Sequence, residues 1–141
     1  MKSTHKLNHI GIAVRDLDEA VRTYTEGLGL TCTHREVVED QMVKTAFLPA
    51  GESSLELLES TSPDGPIGRF IAKRGEGIHH ICLEVPDIKA AIADAKAQGM
   101  RLIDEEPRRG AHNMWVAFVH PKSTHGVLLE LSQPIEEAVE S

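Results

Sequence analysis

Leu7-Asn8-His9-Ile10-Gly11-Ile12-Ala13-Val14, set beside Ile78-His79-His80-Ile81-Cys82-Leu83-Glu84-Val85, decides the fold. The two stretches match at an offset of 71 residues (80 − 9). The match continues into the next element, where Asp16, Leu17, Ala20 and Val21 fall on Asp87, Ile88, Ala91 and Ile92. Near the end of each half Leu55-Glu56-Leu57 falls on Leu129-Glu130-Leu131, now at an offset of 74 (130 − 56), so a loop of slightly different length absorbs the change. A repeat on this scale marks a duplicated supersecondary unit.

Each half reads as strand, helix and three strands. The opening strands cover 7–14 and 78–85. Asp16 and Asp87 supply N-caps to helices with apolar residues at Leu17, Ala20, Val21 and Tyr24, or at Ile88, Ala91, Ile92 and Ala95. Gly27, Gly29 and Gly99 end these helices. The remaining strands are predicted near 30–38, 42–49 and 53–59, and near 101–104, 113–120 and 126–132. The expected division is a first module at 6–60, a linker at 61–77 with a short helix over Ile67 to Lys73, and a second module at 78–133. The acidic tail after Pro134 is expected to form a terminal helix. One βαβββ unit cannot bury both its sheet face and its helix alone. The predicted fold class is therefore α+β: two paired βαβββ modules forming a curved mixed sheet, with helices outside and a central metal cleft.

The composition excludes several classes. With 141 residues, 40% hydrophobic and 26% charged, the chain has globular make-up and room for one domain or two small modules. A net charge of −7 with scattered Lys and Arg argues against nucleic acid as a partner. Cys32 and Cys82 are too few for a disulfide framework and match no zinc-ribbon spacing, so both are expected to remain thiols in a reducing, cytoplasmic compartment. The opening Met1-Lys2-Ser3-Thr4-His5-Lys6 has no apolar run behind it, and neither a targeting peptide nor a membrane partner is expected.

Strand parity nominates ligands. Ile10, Ile12 and Val14 share the face expected to meet a helix, while His9, Gly11 and Ala13 share the other. In the second opening strand His79, Ile81, Leu83 and Val85 take the helix face, and His80, Cys82 and Glu84 look the other way. Parity thus selects His80 over His79 as the partner of His9. Glu56 and Glu130 point opposite to the leucines that flank them. A buried carboxylate between leucines is costly without a partner, and two at equivalent repeat positions suggest a shared cation. Two imidazoles and two carboxylates suit one divalent ion of intermediate hardness, such as Co, Ni, Mn, Fe or Zn. Any one of these residues alone would read as a structural histidine or a solvent-facing glutamate. It is their recurrence in both halves that favours the metal.

At these residues the chain resembles the vicinal oxygen chelate superfamily, which includes glyoxalase I, extradiol dioxygenases, fosfomycin-resistance proteins and methylmalonyl-CoA epimerases. The likeness is strongest to the epimerase family and spans about residues 6–133. Asn8 to Val14 and Ser54 to Glu59 carry the superfamily pattern. Gly75-Glu76-Gly77-Ile78-His79-His80, Glu106-Pro107 with Gly110-Ala111-His112, and His120-Pro121-Lys122 carry the epimerase-like one. The resemblance implies ligands at His9, Glu56, His80 and Glu130, with cobalt the first choice of metal. It also implies an acyl-CoA substrate, a homodimer, and α-proton abstraction through a metal-stabilised enolate. Glu130 and Glu56 are the implied bases, and His112 lies in an active-site loop. In relatives with Gln at the first carboxylate position, a Glu on the third strand serves as a base. The matching residue here is Thr45, with Gln41 nearby, so the identity of the second base stays open.

Arg108, Arg109 and Lys122 are candidates to face coenzyme A phosphates, or are plain solvated charges. Trp115 and Phe118 read as core, and His79 and His120 as structural or supporting residues. Cys82 reads as a small cavity-lining side chain. Two rival functions remain: glyoxalase I-type isomerisation of a glutathione hemithioacetal, and metal-free binding of a small ligand. The epimerase-like loops disfavour the first, and retention of all four candidate ligands disfavours the second.

Overall fold

The computed structural model describes residues 4–136, and the terminal helix expected after Pro134 would lie beyond them. Two compact units emerge, one spanning Leu7–Cys82 and the other comprising, among the described residues, 83–136 together with 4–6.

The first unit holds β1 (Lys6–Ala13), α1 (Leu17–Arg22, continuing as a π-helical turn over Thr23–Gly27), β2 (His34–Val38), β3 (Val43–Ala50), β4 (Ser53–Ser60), α2 (Pro66–Arg74) and most of β5 (Gly77–Glu84). Its strands lie in the order β2-β3-β4-β1-β5. β1 and β4 run parallel, with Gly11 opposite Glu56, while β2, β3 and β4 form an antiparallel meander. The predicted faces are realised. Ile12, Val14, Leu55 and Leu57 pack with Leu17, Ala20, Val21 and Tyr24 of the α1 segment. Ala13 and Leu58, on the other face, are covered by Ile67, Phe70 and Ile71 of α2. Pro66 opens that helix, where its missing N–H has no intrahelical partner to lose. Gly75 closes it at φ 78°, a left-handed conformation glycine adopts without a Cβ penalty.

The second unit continues from the end of β5 through α3 (Ile88–Ala97), β6 (Arg108–Arg109), β7 (Met114–Val119) and β8 (Leu129–Pro134), with strand order β5-β8-β7-β6. Leu83, Val85, Leu129 and Leu131 pack with Ile88, Ala91 and Ile92 of α3, as their counterparts do in the first unit. The backbone bond from Val14 N to Leu58 O returns as Val85 N to Ser132 O, each at 2.8 Å. Asp16 and Asp87 both accept the expected N-cap bond, from Glu19 N and Ala90 N, each at 3.1 Å.

One expected strand is different. Residues 101–104 form only an isolated bridge, Leu102 to Val119, and the regular pairing moves to the two-residue β6. Asp104 is the physical reason. Its Oδ2 accepts from Phe118 N at 2.8 Å and its Oδ1 from Arg108 Nε at 3.1 Å, so a side chain takes the donor that a strand would use. Pro107, without an N–H, prevents pairing from resuming sooner.

Candidate metal centre

β1, β4 and β5 bring three of the four nominated ligands together inside the first unit. His9 Nε2 lies 3.0 Å from His80 Nε2 and 3.1 Å from Glu56 Oε2. All three residues are nearly sealed from solvent, at 7%, 6% and 6% exposure for His9, His80 and Glu56. Gly11 makes the approach possible, because a Cβ built on it would stand 2.8 Å from His80 Nε2 and closer still to other atoms of the ring. It is the His80 ring, across from β1, that fills the space beside Gly11.

The hydrogen bonds of this cluster set which ring nitrogen could face a cation. His9 Nδ1 donates to Asn8 Oδ1 at 2.7 Å, which leaves Nε2 of the neutral ring as a bare acceptor. That acceptor faces a carboxylate oxygen at 3.1 Å and a second imidazole nitrogen at 3.0 Å, which can donate a proton to it or share a cation with it. Two imidazole nitrogens and one carboxylate oxygen form a donor set that fits a divalent first-row metal. Cys82 Sγ joins the neighbourhood, within 4.8 Å of a His9 ring nitrogen.

Glu130 sits on β8 of the second unit, 7% exposed. Its setting there repeats that of Glu56. Glu56 stands opposite Phe47 of β3, and Glu130 stands opposite Phe118 of β7. Thr45, where some relatives carry a glutamate, is buried on β3 opposite Leu58, and its Oγ1 donates to Glu36 O at 3.3 Å. Gln41 belongs to the short 3-10 turn Glu39–Gln41.

His112 lies exposed in the turn between β6 and β7, with left-handed φ of 59° followed by 55° at Asn113. Two adjacent non-glycine residues in this region mark a strained turn, the kind of backbone that clusters at functional loops. Arg108 lies over Phe118, 5.7 Å from the ring centroid, and Arg109 over Trp115 at 5.5 Å. Trp115 is half-buried against the second core and Phe118 is also only partly covered. Lys122 is exposed, and its backbone N–H donates to His120 Nδ1 at 3.0 Å.

His79 departs from its predicted place. Instead of meeting the α3 core, its ring stands edge-on to Phe70 of α2 at 5.0 Å, and its Nδ1 lies 2.9 Å from His80 Nδ1. Asn8 was not singled out in the sequence, although its alignment with His79 at the repeat offset was a usable signal.

The fold and site define a mixed-sheet α+β protein whose first unit carries a buried donor cluster able to hold a divalent ion. Residues 8–118 match the Glyoxalase/Bleomycin resistance protein/Dioxygenase superfamily, and the chain belongs to that family. It is similar to the human mitochondrial methylmalonyl-CoA epimerase, with 40% identity over 129 residues covering 91% of this chain and 73% of the relative. It is also 40% identical over 130 residues to the ethylmalonyl-CoA/methylmalonyl-CoA epimerase of Cereibacter sphaeroides, covering 91% of this chain and 97% of that one. Among solved structures, a methylmalonyl-CoA epimerase in complex with methylmalonyl-CoA and NH4+ superposes with a TM-score of 0.90 at 42% identity, covering 94% of this chain and 96% of that one.

Proposed function

We propose that the chain is an isomerase that epimerises methylmalonyl-CoA by removing and returning its α-proton. The observation that carries this is the buried His9–Glu56–His80 cluster, in a chain similar over nine-tenths of its length to epimerases of that substrate. The α-carbon lies between a thioester and a carboxylate, so the barrier lies largely in the enolate charge. His9, Glu56, His80 and Glu130 would hold a divalent ion, and such an ion would supply Lewis-acid stabilisation of that charge. Cobalt is the first choice, with Ni, Mn, Zn and Fe compatible with the same donors. Glu130 takes the α-proton on one face and Glu56 exchanges a proton on the other, since inversion needs a donor and an acceptor on opposite sides. His112, on its strained turn, serves as an additional proton-handling group near the substrate. Arg108 and Arg109 offer guanidinium groups to the coenzyme A phosphates.

The protein works as a cytoplasmic homodimer, with Cys32 and Cys82 kept as thiols. Among the described residues no helix is long and apolar enough to cross a membrane.

The test is proton–deuterium exchange. With a divalent ion such as cobalt added, the purified protein should wash solvent deuterium into the α-carbon of methylmalonyl-CoA and interconvert the epimers. If no exchange occurs but the methylglyoxal–glutathione adduct is isomerised, the glyoxalase reading, which retention of Glu56 also allows, replaces this one.

A further inference from the structure

The two histidines of the cluster are each held from behind by the residue that precedes them in the chain. His9 Nδ1 meets Asn8 Oδ1 at 2.7 Å, and His80 Nδ1 meets His79 Nδ1 at 2.9 Å. Asn8 and His79 occupy the same repeat position, as do His9 and His80. The duplicated strands have kept the device and changed the partner from an amide oxygen to an imidazole nitrogen.

We propose that Asn8 and His79 are positioning residues that fix the tautomer and ring orientation of His9 and His80, so that both present a bare Nε2 to a divalent ion. Asn8 Oδ1 can only accept, so the proton on His9 is at Nδ1. With an ion at its Nε2, His80 would donate its Nδ1–H to His79 Nδ1, and His79 would carry its own proton at Nε2. Without an ion the two Nε2 atoms are 3.0 Å apart beside the Glu56 carboxylate, a hydrogen bond in which His80 supplies the proton that the ion would replace. Partners of this kind orient metal-bound imidazoles and raise their basicity. His79 has its own support, for the edge-on ring of Phe70 on α2 holds its plane at 87° to Phe70 and so holds the direction of its lone pair. The linker helix therefore reaches the cluster through Phe70, His79 and His80 in turn. This inference rests on the metal reading of the cluster, but the His9 tautomer it assigns can be measured without any metal.

Two measurements test it. Ring nitrogen-15 shifts should show Nδ1 protonated on His9 in the metal-free protein, and on both His9 and His80 once zinc is bound. Cobalt affinity, taken by competition with a chelator and read from cobalt absorbance, should fall about 10–100-fold in Asn8→Ala and in His79→Leu. Asn8→Asp and His79→Gln keep an acceptor and should stay within about threefold of wild type. A merely structural role for His79 would penalise His79→Gln as much as His79→Leu, because both lose the ring that packs on Phe70. The proposal is overturned if His9 Nδ1 bears no proton, or if acceptor-keeping and acceptor-deleting variants behave alike. A wild-type protein that binds no cobalt, zinc or manganese sinks the metal reading instead, and the ring shifts then decide the positioning claim alone.

Discussion

The backbone N–H of Leu17 donates to Glu59 Oε1 at 2.7 Å, so the last residues of β4 tie down the first turn of α1. In the second unit the N–H of Ile88 donates to Gln133 Oε1 at 2.8 Å, at the matching place on β8 and α3. Each bond satisfies one of the donors that a helix leaves open at its start. Together with Asp16 and Asp87 they give each helix two side-chain caps, one from its own strand-helix turn and one from the distant fourth strand.

Removing the distant cap should therefore cost stability in either half. Glu59→Ala and Gln133→Ala are each expected to lose about 1 kcal/mol, in the range of N-cap deletions. Glu59→Gln keeps an acceptor and gives up only the half-exposed pairing with Lys44 at 3.5 Å, so it should lose about half as much or less. Urea unfolding of the three variants checks this, and equal losses in Glu59→Ala and Glu59→Gln would show that charge rather than the helix bond matters.

Gly11 is expected to be intolerant even of alanine. The added methyl would overlap the His80 ring, and His80 has Gly11 on one side and His79 on the other. The ring must move, which separates His80 Nε2 from His9. Overpacking of this kind costs about 1–3 kcal/mol. Gly11→Ala should therefore lower the melting temperature and weaken cobalt binding together. The wild-type melting temperature with lost binding would mean that the ring relocates at no cost, and the reverse would place the metal elsewhere.

His80→Ala should fail to retain a stoichiometric divalent ion in elemental analysis, whereas His79→Ala should still fill at saturating metal despite its weaker affinity. Full occupancy in His80→Ala with activity intact would remove His80 from the ligand set. The opposite pattern, with His79 essential for occupancy and His80 dispensable, would mean that the imidazole facing the ion has been misassigned.

Much of this was legible because a strand has a period of two. Leu55 and Leu57 against Glu56, and Ile12 and Val14 against His9, needed only alternation, and the repeat carried the reasoning to His80 and Glu130. What escaped was not periodic. Residues 101–104 have the apolar content of a strand, yet the Asp104 carboxylate captures the N–H of Phe118 and ends it. His79 was given a face by counting, but at the start of β5 the ring is claimed by Phe70 from the linker helix, a contact that sequence spacing does not encode. The space Gly11 provides likewise depends on which strand lies next to β1, and neighbours in a sheet are a property of topology rather than of either segment.

The roles proposed for the two glutamates separate in one experiment. Glu130→Gln removes a base and weakens metal binding at once, so epimerisation should fall by more than the roughly 10²–10⁴-fold typical of a positioned acid–base group alone. Glu56→Gln gives the sharper result. Its carboxylate lies 3.1 Å from His9 Nε2, so the amide variant still presents an oxygen to the cluster but cannot carry a proton. If Glu56 is the second base, solvent deuterium should still enter the α-carbon from one epimer while conversion to the other collapses, because one face keeps its base. If Glu56 is solely a ligand, exchange and epimerisation should fall together or stay together near the wild-type rate. Parallel loss would assign the second proton to another group, and His112→Ala, assayed the same way, would then show whether the strained turn supplies it.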